Sequence, residues 1–447
     1  MAIDWLLERM REQGSGAAVV WRDEVTTYRD LLDRVAAWTT ELDAAGIEPG
    51  QVVAVQGDFT PETCALLLAL VDRDTIVVPL TPAAREHWDD FLETAHVQWV
   101  FHFDDAGAWR LEARPDPGTH PMLDHLRAAG APGLVLFSSG STGRNKAVLN
   151  DFSKLLEKFK VPRHRMVTLT FLLFDHIGGV NTLFYTFSNG GTVVTTPTRD
   201  ADDVCRVIEQ HRVELLPTTP TFLNLLLLSE AHRTRDLSSL RLITYGTEVM
   251  PDSTLERIHE AFPDVRLQQT YGLSELGILR TKSRSSDSAW VKVGGEGIET
   301  RVVDGTLRVR APSAMLGYLN APNAVDADGW MDTEDLVDVD GDYVRFLGRK
   351  SQIINVGGSK VYPAEVESVL LQMENVADAT VYAKPNAITG QVVAARIALR
   401  EPLEPAAVRK AVRAFCRSRL PAFKVPVVIE LADAALHSAR LKKKRNL

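Results

Sequence analysis

Residues 134–148, LVLFSSGSTGRNKAV, set small hydroxylated residues and two glycines just ahead of a lysine. Gly140 and Gly143 allow sharp turns that bring backbone N–H groups close to an anion. Ser138, Ser139, Ser141 and Thr142 add hydroxyl donors, and Lys146 adds a mobile positive charge. Those groups suit a phosphate. An ordinary surface turn has the same composition, but the apolar run at 134–137 reads as a buried strand and favours a nucleotide-phosphate loop. No Gly-Lys-Ser/Thr triplet closes it, so it is not a Walker loop.

Such a loop needs a sheet to present it. VVAVQG, TIVVPL, GLVLFSS, GTVVTTP, LRLITYG and VRLQQTYG each read as a short strand ending in a polar or glycine turn. Helical stretches such as TYRDLLDRVAAWTTELDAAG and PETCALLLALV lie between several of them. The alternation predicts an α/β fold with ligand groups at the strand ends. From about residue 300 the pattern tightens to RVVDGTLRVRAPS and DYVRFLGRK, as in a small antiparallel β region. Beyond a boundary near 348–352, Val366, Val369, Leu370 and Met373 share a helical face, ATVYAK and VVAARIALR read as strands, and 404–420 as an amphipathic helix. The division expected is a large α/β unit over 1–350 and a small α+β unit over 351–447.

Composition narrows the class. At 447 residues the chain exceeds one typical core, and its net charge of −9 argues against general binding to nucleic acid or anionic membranes. Cys64, Cys205 and Cys416 stand far apart, without disulfide or metal-ligand spacing, which fits a reducing cytoplasm. MAIDWLLERMREQG reads as an amphipathic helix and not a signal peptide, and no run reaches the length of a membrane span.

Taken in order, the motifs resemble those of the adenylate-forming superfamily of acyl-CoA synthetases, peptide-synthesis adenylation domains and firefly luciferase. SSGSTGRNKAV resembles its phosphate loop, with Asn145-Lys146-Ala147 for the usual Pro-Lys-Gly. TYGTEVM, with Gly246, Thr247 and Glu248, resembles the adenine-side segment. TYGLSELG, with Thr270, Tyr271, Gly272, Ser274 and Glu275, resembles the Tyr-Gly-x-Thr-Glu motif. DGTLRVRAPSAMLGYLN, GWMDTEDLVDVD, GRKSQIINVGGSKVYPAEVE and LPAFKVP follow as later blocks. The resemblance spans nearly the whole chain. It implies a large multi-sheet α/β domain with a small β region, and a mobile C-terminal α+β domain.

The resemblance also implies a chemistry: a carboxylate attacks the α-phosphorus of ATP, and a thiol displaces AMP from the adenylate. Phosphoryl transfer asks for charge neutralisation and in-line positioning. By carry-over, residues 138–146 hold phosphates, Glu275 binds Mg²⁺, Tyr271 packs near adenine, Asp335 takes the ribose hydroxyls and Arg349 meets ribose or phosphate. Taken singly, Asp335 could sit in a solvated acidic turn and Glu275 could be a helix N-terminal charge. Ser351 falls at the hinge, and Gly357 and Gly358 on the thiol's path.

Departures fall on glycines and on the last block. Thr333-Glu334-Asp335 replaces Thr-Gly-Asp, and HSARLKKKRNL ends the chain where the family has Thr-x-x-Gly-Lys. Setting Ser438 on the threonine and Arg445 on a later arginine puts Lys442 on the catalytic lysine and Leu441 on the glycine. Charge alone does not choose among Lys442, Lys443 and Lys444, and a solvated tail has the same composition.

FLLFDHIGGVN, at 171–181, bears on the acid. Acyl-CoA synthetases of this superfamily carry Phe-His and a following glycine at the acyl pocket; amino-acid-activating relatives carry Phe-Asp. Phe174-Asp175-His176 allows both alignments. Asp175, His176, Gly179 and Gly272 are therefore the expected substrate-side residues, with Asp175 alternatively facing solvent or orienting His176. The function expected is an AMP-forming acyl-CoA synthetase for a small aromatic acid, using ATP, Mg²⁺ and CoA. The alternatives are transfer to a separate carrier protein's phosphopantetheine or to an amine, activation of nitrite, and a non-catalytic nucleotide-binding regulator.

Overall fold

A computed structural model describes residues 2–115, 118–139, 145–432, 436–438, 441, 443 and 444. Four sheets organise them. The first has seven strands in the order Arg266–Gln269, Leu242–Tyr245, Leu215–Thr218, Val167–Leu169, Thr192–Val194, Ala17–Trp21 and Glu24–Thr27. All its neighbours are parallel except the last pair, which forms a hairpin. The second runs Gly317–Tyr318, Asn145–Asp151, Gly133–Ser139, Ile76–Leu80, Val52–Gln56, Trp99–Phe103 and Trp109–Ala113. Its four central strands, from Gly133–Ser139 to Trp99–Phe103, are parallel.

The helix Pro61–Asp72 shows why these sheets share one core. Its sequence is apolar on every side, and every residue from Pro61 to Val71 except Glu62 is buried. A helix without a polar face belongs in an interior. Thr60 caps it reciprocally with Thr63, so its first N–H groups are satisfied there. Helix Ile177–Ser188 is nearly as buried, and the N-terminal helix Asp4–Arg11 adds Leu6, Leu7 and Met10 to the same cluster.

The third sheet is wholly antiparallel and seven-stranded, and it begins at Tyr271, not near 300. The strand Gly277–Ser283 (GILRTKS) escapes a periodicity search because its second half is polar on both faces. A five-stranded sheet starts with Ile354–Val356, and its own apolar cluster takes in Val366, Leu370, Val408 and Val412. The helix expected at 404–420 spans Pro405–Arg417. Among the described residues, no helix is long and apolar enough to cross a membrane. The three cysteines are buried and free.

Candidate active site

The loop that opened the sequence reading is the connection of a hairpin. Strands Gly133–Ser139 and Asn145–Asp151 pair antiparallel, placing Ser138 opposite Lys146. Leu134, Val135 and Leu136 are at most 1% exposed, so the hairpin is rooted in the core. Asn320 clamps its outgoing end: its Nδ2 donates to the Asn145 carbonyl at 2.9 Å, and its Oδ1 accepts from Ala147 N at 3.0 Å. Gly140, Ser141, Thr142 and Gly143 lie outside the described residues, as does the side chain of Ser139.

On the other side of the Asn145–Asp151 strand pairs Gly317–Tyr318. The Tyr318 hydroxyl donates to Glu275 Oε1 at 2.9 Å, and Lys146 Nζ stands 4.7 Å above the Tyr318 ring centroid. Ser138 Oγ makes a long contact of 3.5 Å to the same Oε1. Both contacts fall on one oxygen of Glu275, Oε1. The cavity here has a volume of about 430 Å³, and Ser138, Lys146, Glu275 and Tyr318 all line it. Tyr318 was not singled out from the sequence, although the quoted block DGTLRVRAPSAMLGYLN contains it.

A smaller chamber of about 130 Å³ adjoins the first through shared walls at Thr247, Thr270, Gly272 and Arg349. Tyr271 stacks on Phe346 with centroids 4.5 Å apart and donates its hydroxyl to Asp335 Oδ2 at 2.8 Å. Arg349 Nε lies 3.3 Å from Asp335 Oδ1, because the two residues are cross-strand partners. Burial pushes the Asp335 carboxyl above its ordinary pKa, against the pull of Arg349 and Tyr271. Two glycines make the walls flush: a Cβ on Gly246 would come within 2.6 Å of Thr270 Oγ1, and one on Gly272 within 2.5 Å of the Gly277 carbonyl. Ser274 lines the larger cavity. Thr247 holds φ at +73°, a left-handed value that a β-branched residue adopts only under strain.

Glu334, at the glycine position of Thr-Gly-Asp, also has a left-handed φ of +59°. The chain keeps the turn without the residue that makes it easy. Glu334→Gly is expected to raise stability by up to about 1 kcal/mol, and Glu334→Val to lower it, in denaturant melts.

Beside the helix Ile177–Ser188 the cavity separates the expected substrate-side residues. His176 caps helix Ile177–Ser188, its Nδ1 accepting from Gly178 N at 3.1 Å, so Nε2 carries the proton. His176, Gly178 and Asn181 line the cavity; Asp175 and Gly179 do not. Asp175 is 4% exposed and accepts from Thr81 Oγ1 at 2.8 Å. A Cβ on Gly179 would sit 2.0 Å from the Leu173 carbonyl, so that glycine serves backbone packing. Asp175→Asn is expected to leave substituent preference unchanged and to lower stability by about 1–2 kcal/mol through a weakened hydrogen bond. Matched amino-bearing and amino-free acids, with a thermal melt, check both.

The C-terminal block reaches this site. Lys442 and Arg445 lie outside the described residues, but the flanks of Lys442 are fixed. Leu441 is 7% exposed at a left-handed φ of +49°, and its carbonyl accepts from Thr219 Oγ1 at 3.0 Å. Leu441 meets His176 and Thr247 around one small space at the cavity edge. Lys443 Nζ pairs with Asp378 Oδ1 at 2.5 Å, both side chains under 10% exposed, and donates to the Ala379 carbonyl. Lys444 is exposed. Glu248 is also tied to the tail: Thr221 N and the Thr221 hydroxyl donate to its Oε1 and Lys443 N to its Oε2. It anchors the tail while lining the smaller chamber.

Ser351, in the turn Lys350–Gln352, lines the large cavity. Gly357 and Gly358 form the exposed turn between Ile354–Val356 and Ser359–Val361, with φ of +56° and +88°. They are not on the cavity wall in this arrangement.

The AMP-binding enzyme family model matches residues 6–319, and the AMP-binding enzyme C-terminal domain model matches 365–443. The chain belongs to the AMP-binding enzyme family. It is an ATP-dependent, AMP-forming ligase of the adenylate-forming superfamily. Among its relatives is a Mycobacterium tuberculosis ligase that joins a methyl-dioxo-octahydroindenyl propanoyl group to CoA, 29% identical over 98% of this chain and 96% of that one. Indoleacetate–CoA ligase of Aromatoleum aromaticum is 28% identical over 90% of this chain and 88% of its own length. An anthranilate CoA ligase, AuaEII, solved with anthranoyl-AMP, shares the fold at a TM-score of 0.82 and 19% identity, over 98% of this chain and 95% of that one.

Proposed function

We propose that this AMP-binding enzyme activates a small aromatic carboxylic acid as its acyl-adenylate and passes the acyl group to CoA. The observation that carries this reading is the position of Glu275. It faces Ser138 and Lys146 in a cavity that opens on one side to the Tyr271–Asp335–Arg349 chamber and on the other to His176 and Gly178. Adenine fits the slot walled by Tyr271, Gly272 and Phe346, the Asp335 carboxylate accepts from the ribose hydroxyls, and Arg349 favours the ionised form against burial. Residues 138–146 receive the β- and γ-phosphates, with Lys146 positioned by the Tyr318 ring. The acid lies between Gly178, Asn181 and Gly272, with its carboxylate toward the α-phosphate.

The donor set fits Mg²⁺. Glu275 offers a hard carboxylate beside the Ser138 hydroxyl, the kind of oxygen donor that this ion takes. Bound there, the ion neutralises phosphate charge. Glu275 itself is kept in place by the Tyr318 hydroxyl. The unit over 1–350 supplies these groups, and the unit over 351–447 delivers Lys442 to the α-phosphate and later turns about Ser351. That turn brings the Gly357–Gly358 hairpin, whose glycines permit close approach, to the thiol's path.

The test supplies ATP, Mg²⁺, CoA and one aryl acid at a time, and reads AMP and thioester by mass spectrometry. Acid-dependent AMP with stoichiometric aryl-CoA is the expected result. AMP released without thioester, while an added amine is acylated, would contradict the acceptor.

A further inference from the structure

Behind the acyl end of the cavity lies a second space of about 10 Å³, on the scale of one water molecule. Ile177, Asn181 and Ile278 wall both spaces, so the small one lies next to the large one behind those three residues. Its other walls are apolar, among them Phe152, Leu155, Val180 and Phe184, with one exception, Lys158. The lysine sits in the turn Glu157–Phe159 and sends its amine inward. Nζ donates to Asn181 Oδ1 and to the Ile278 carbonyl, both at 2.6 Å, and stands 4.9 Å from the Phe159 ring centroid. Among the described residues no carboxylate pairs with it. Burial, with Arg163 and Arg280 nearby, pulls its pKa down from the usual lysine range to about 7.

We propose that Lys158 is a specificity-determining residue that binds a hydroxyl group on the ring of the acid, remote from the carboxylate. The inference rests on the acid-activating reading above. Two of the nitrogen's directions are already taken by carbonyl oxygens. As a neutral amine it has a lone pair left, which accepts from a phenol O–H; as an ammonium it has one N–H left, which donates to the phenol oxygen. A hydroxyl is both donor and acceptor and satisfies either state. A methyl group satisfies neither, and a second carboxylate is too large for the space and finds one donor where it needs several.

The test compares benzoic acids bearing hydroxyl, methyl, methoxy or a second carboxyl at the meta or para position, by ATP–pyrophosphate exchange. In wild type, one hydroxy acid should exceed its methyl analogue by at least about tenfold in kcat/KM, chiefly through KM. Lys158→Met should bring that ratio to about one without lowering kcat for the methyl acid. Stability supplies an independent readout. Between pH 7 and the unfolded lysine value of about 10.4, the unfolded chain holds a proton that the folded chain has released, so wild-type stability should rise across that window. Lys158→Met should lack that rise. If it does not fold, Lys158→Gln, which cannot titrate, should show a reduced hydroxyl preference and lack the same rise in stability. A hydroxyl-to-methyl ratio near one in wild type, a ratio unchanged in the variants, or preference for the second carboxyl would overturn the proposal while leaving the ligase reading intact. Silence with every acid would overturn both.

Discussion

Glu275→Ala is expected to lose at least about a hundredfold in acid-dependent ATP–pyrophosphate exchange while the protein stays folded. The carboxylate is 9% exposed, and Tyr318 holds its Oε1, so it is preorganised toward the cavity. Removing a preorganised charge from such a site raises a barrier by about 3 kcal/mol or more. Glu275→Gln keeps the shape and loses the charge, so it should fall nearly as far. Tyr318→Phe leaves the carboxylate in place and frees its orientation; its loss should be smaller, about tenfold. Near-normal exchange in Glu275→Ala would remove Glu275 from the site.

The second large effect separates two adjacent lysines. Lys442→Ala should abolish adenylate formation, by about a hundredfold or more, yet still convert a supplied acyl-adenylate to thioester. Lys443→Ala should act on the fold instead. Its partner Asp378 is 9% exposed on the side chain, and removing the amine leaves that carboxylate buried and unpaired. Breaking a buried pair from one side costs about 3–5 kcal/mol. The melt should therefore drop in Lys443→Ala and hold in Lys442→Ala. If Lys443→Ala folds normally and alone loses the first half-reaction, the assignment of the terminal lysines is wrong.

These residues also show what a sequence reading reaches. The strand that leads into residues 138–146 was legible because it is a continuous apolar run, and the structure buries that run, Leu134 to Phe137, in the strand Gly133–Ser139. The order of later motifs placed Asp335 and Arg349 in the same reading, and the antiparallel pairing accounts for their contact. The offset between Asp175 and His176 was not legible. Which of two adjacent residues faces a cavity depends on the helix start, and only the Nδ1 cap from His176 to Gly178 fixes it. For the same reason Gly178, not Gly179, borders the cavity.

The glycine replacements show a different limit. Glu334 and Leu441 looked like losses of backbone freedom, yet both retain left-handed φ. For Leu441, burial of the side chain and the bond from Thr219 hold the backbone there. Such compensation joins residues 222 positions apart and has no local sequence signal. Lys158 was missed because a lysine in a polar stretch reads as surface, and only the fold turns its amine inward.

The most direct test is ATP–pyrophosphate exchange with purified wild type, with and without an aryl acid and before any acceptor is added. The account predicts exchange that needs both Mg²⁺ and the acid, and that disappears in Glu275→Ala. Exchange without acid, or exchange that Glu275→Ala retains, would contradict it.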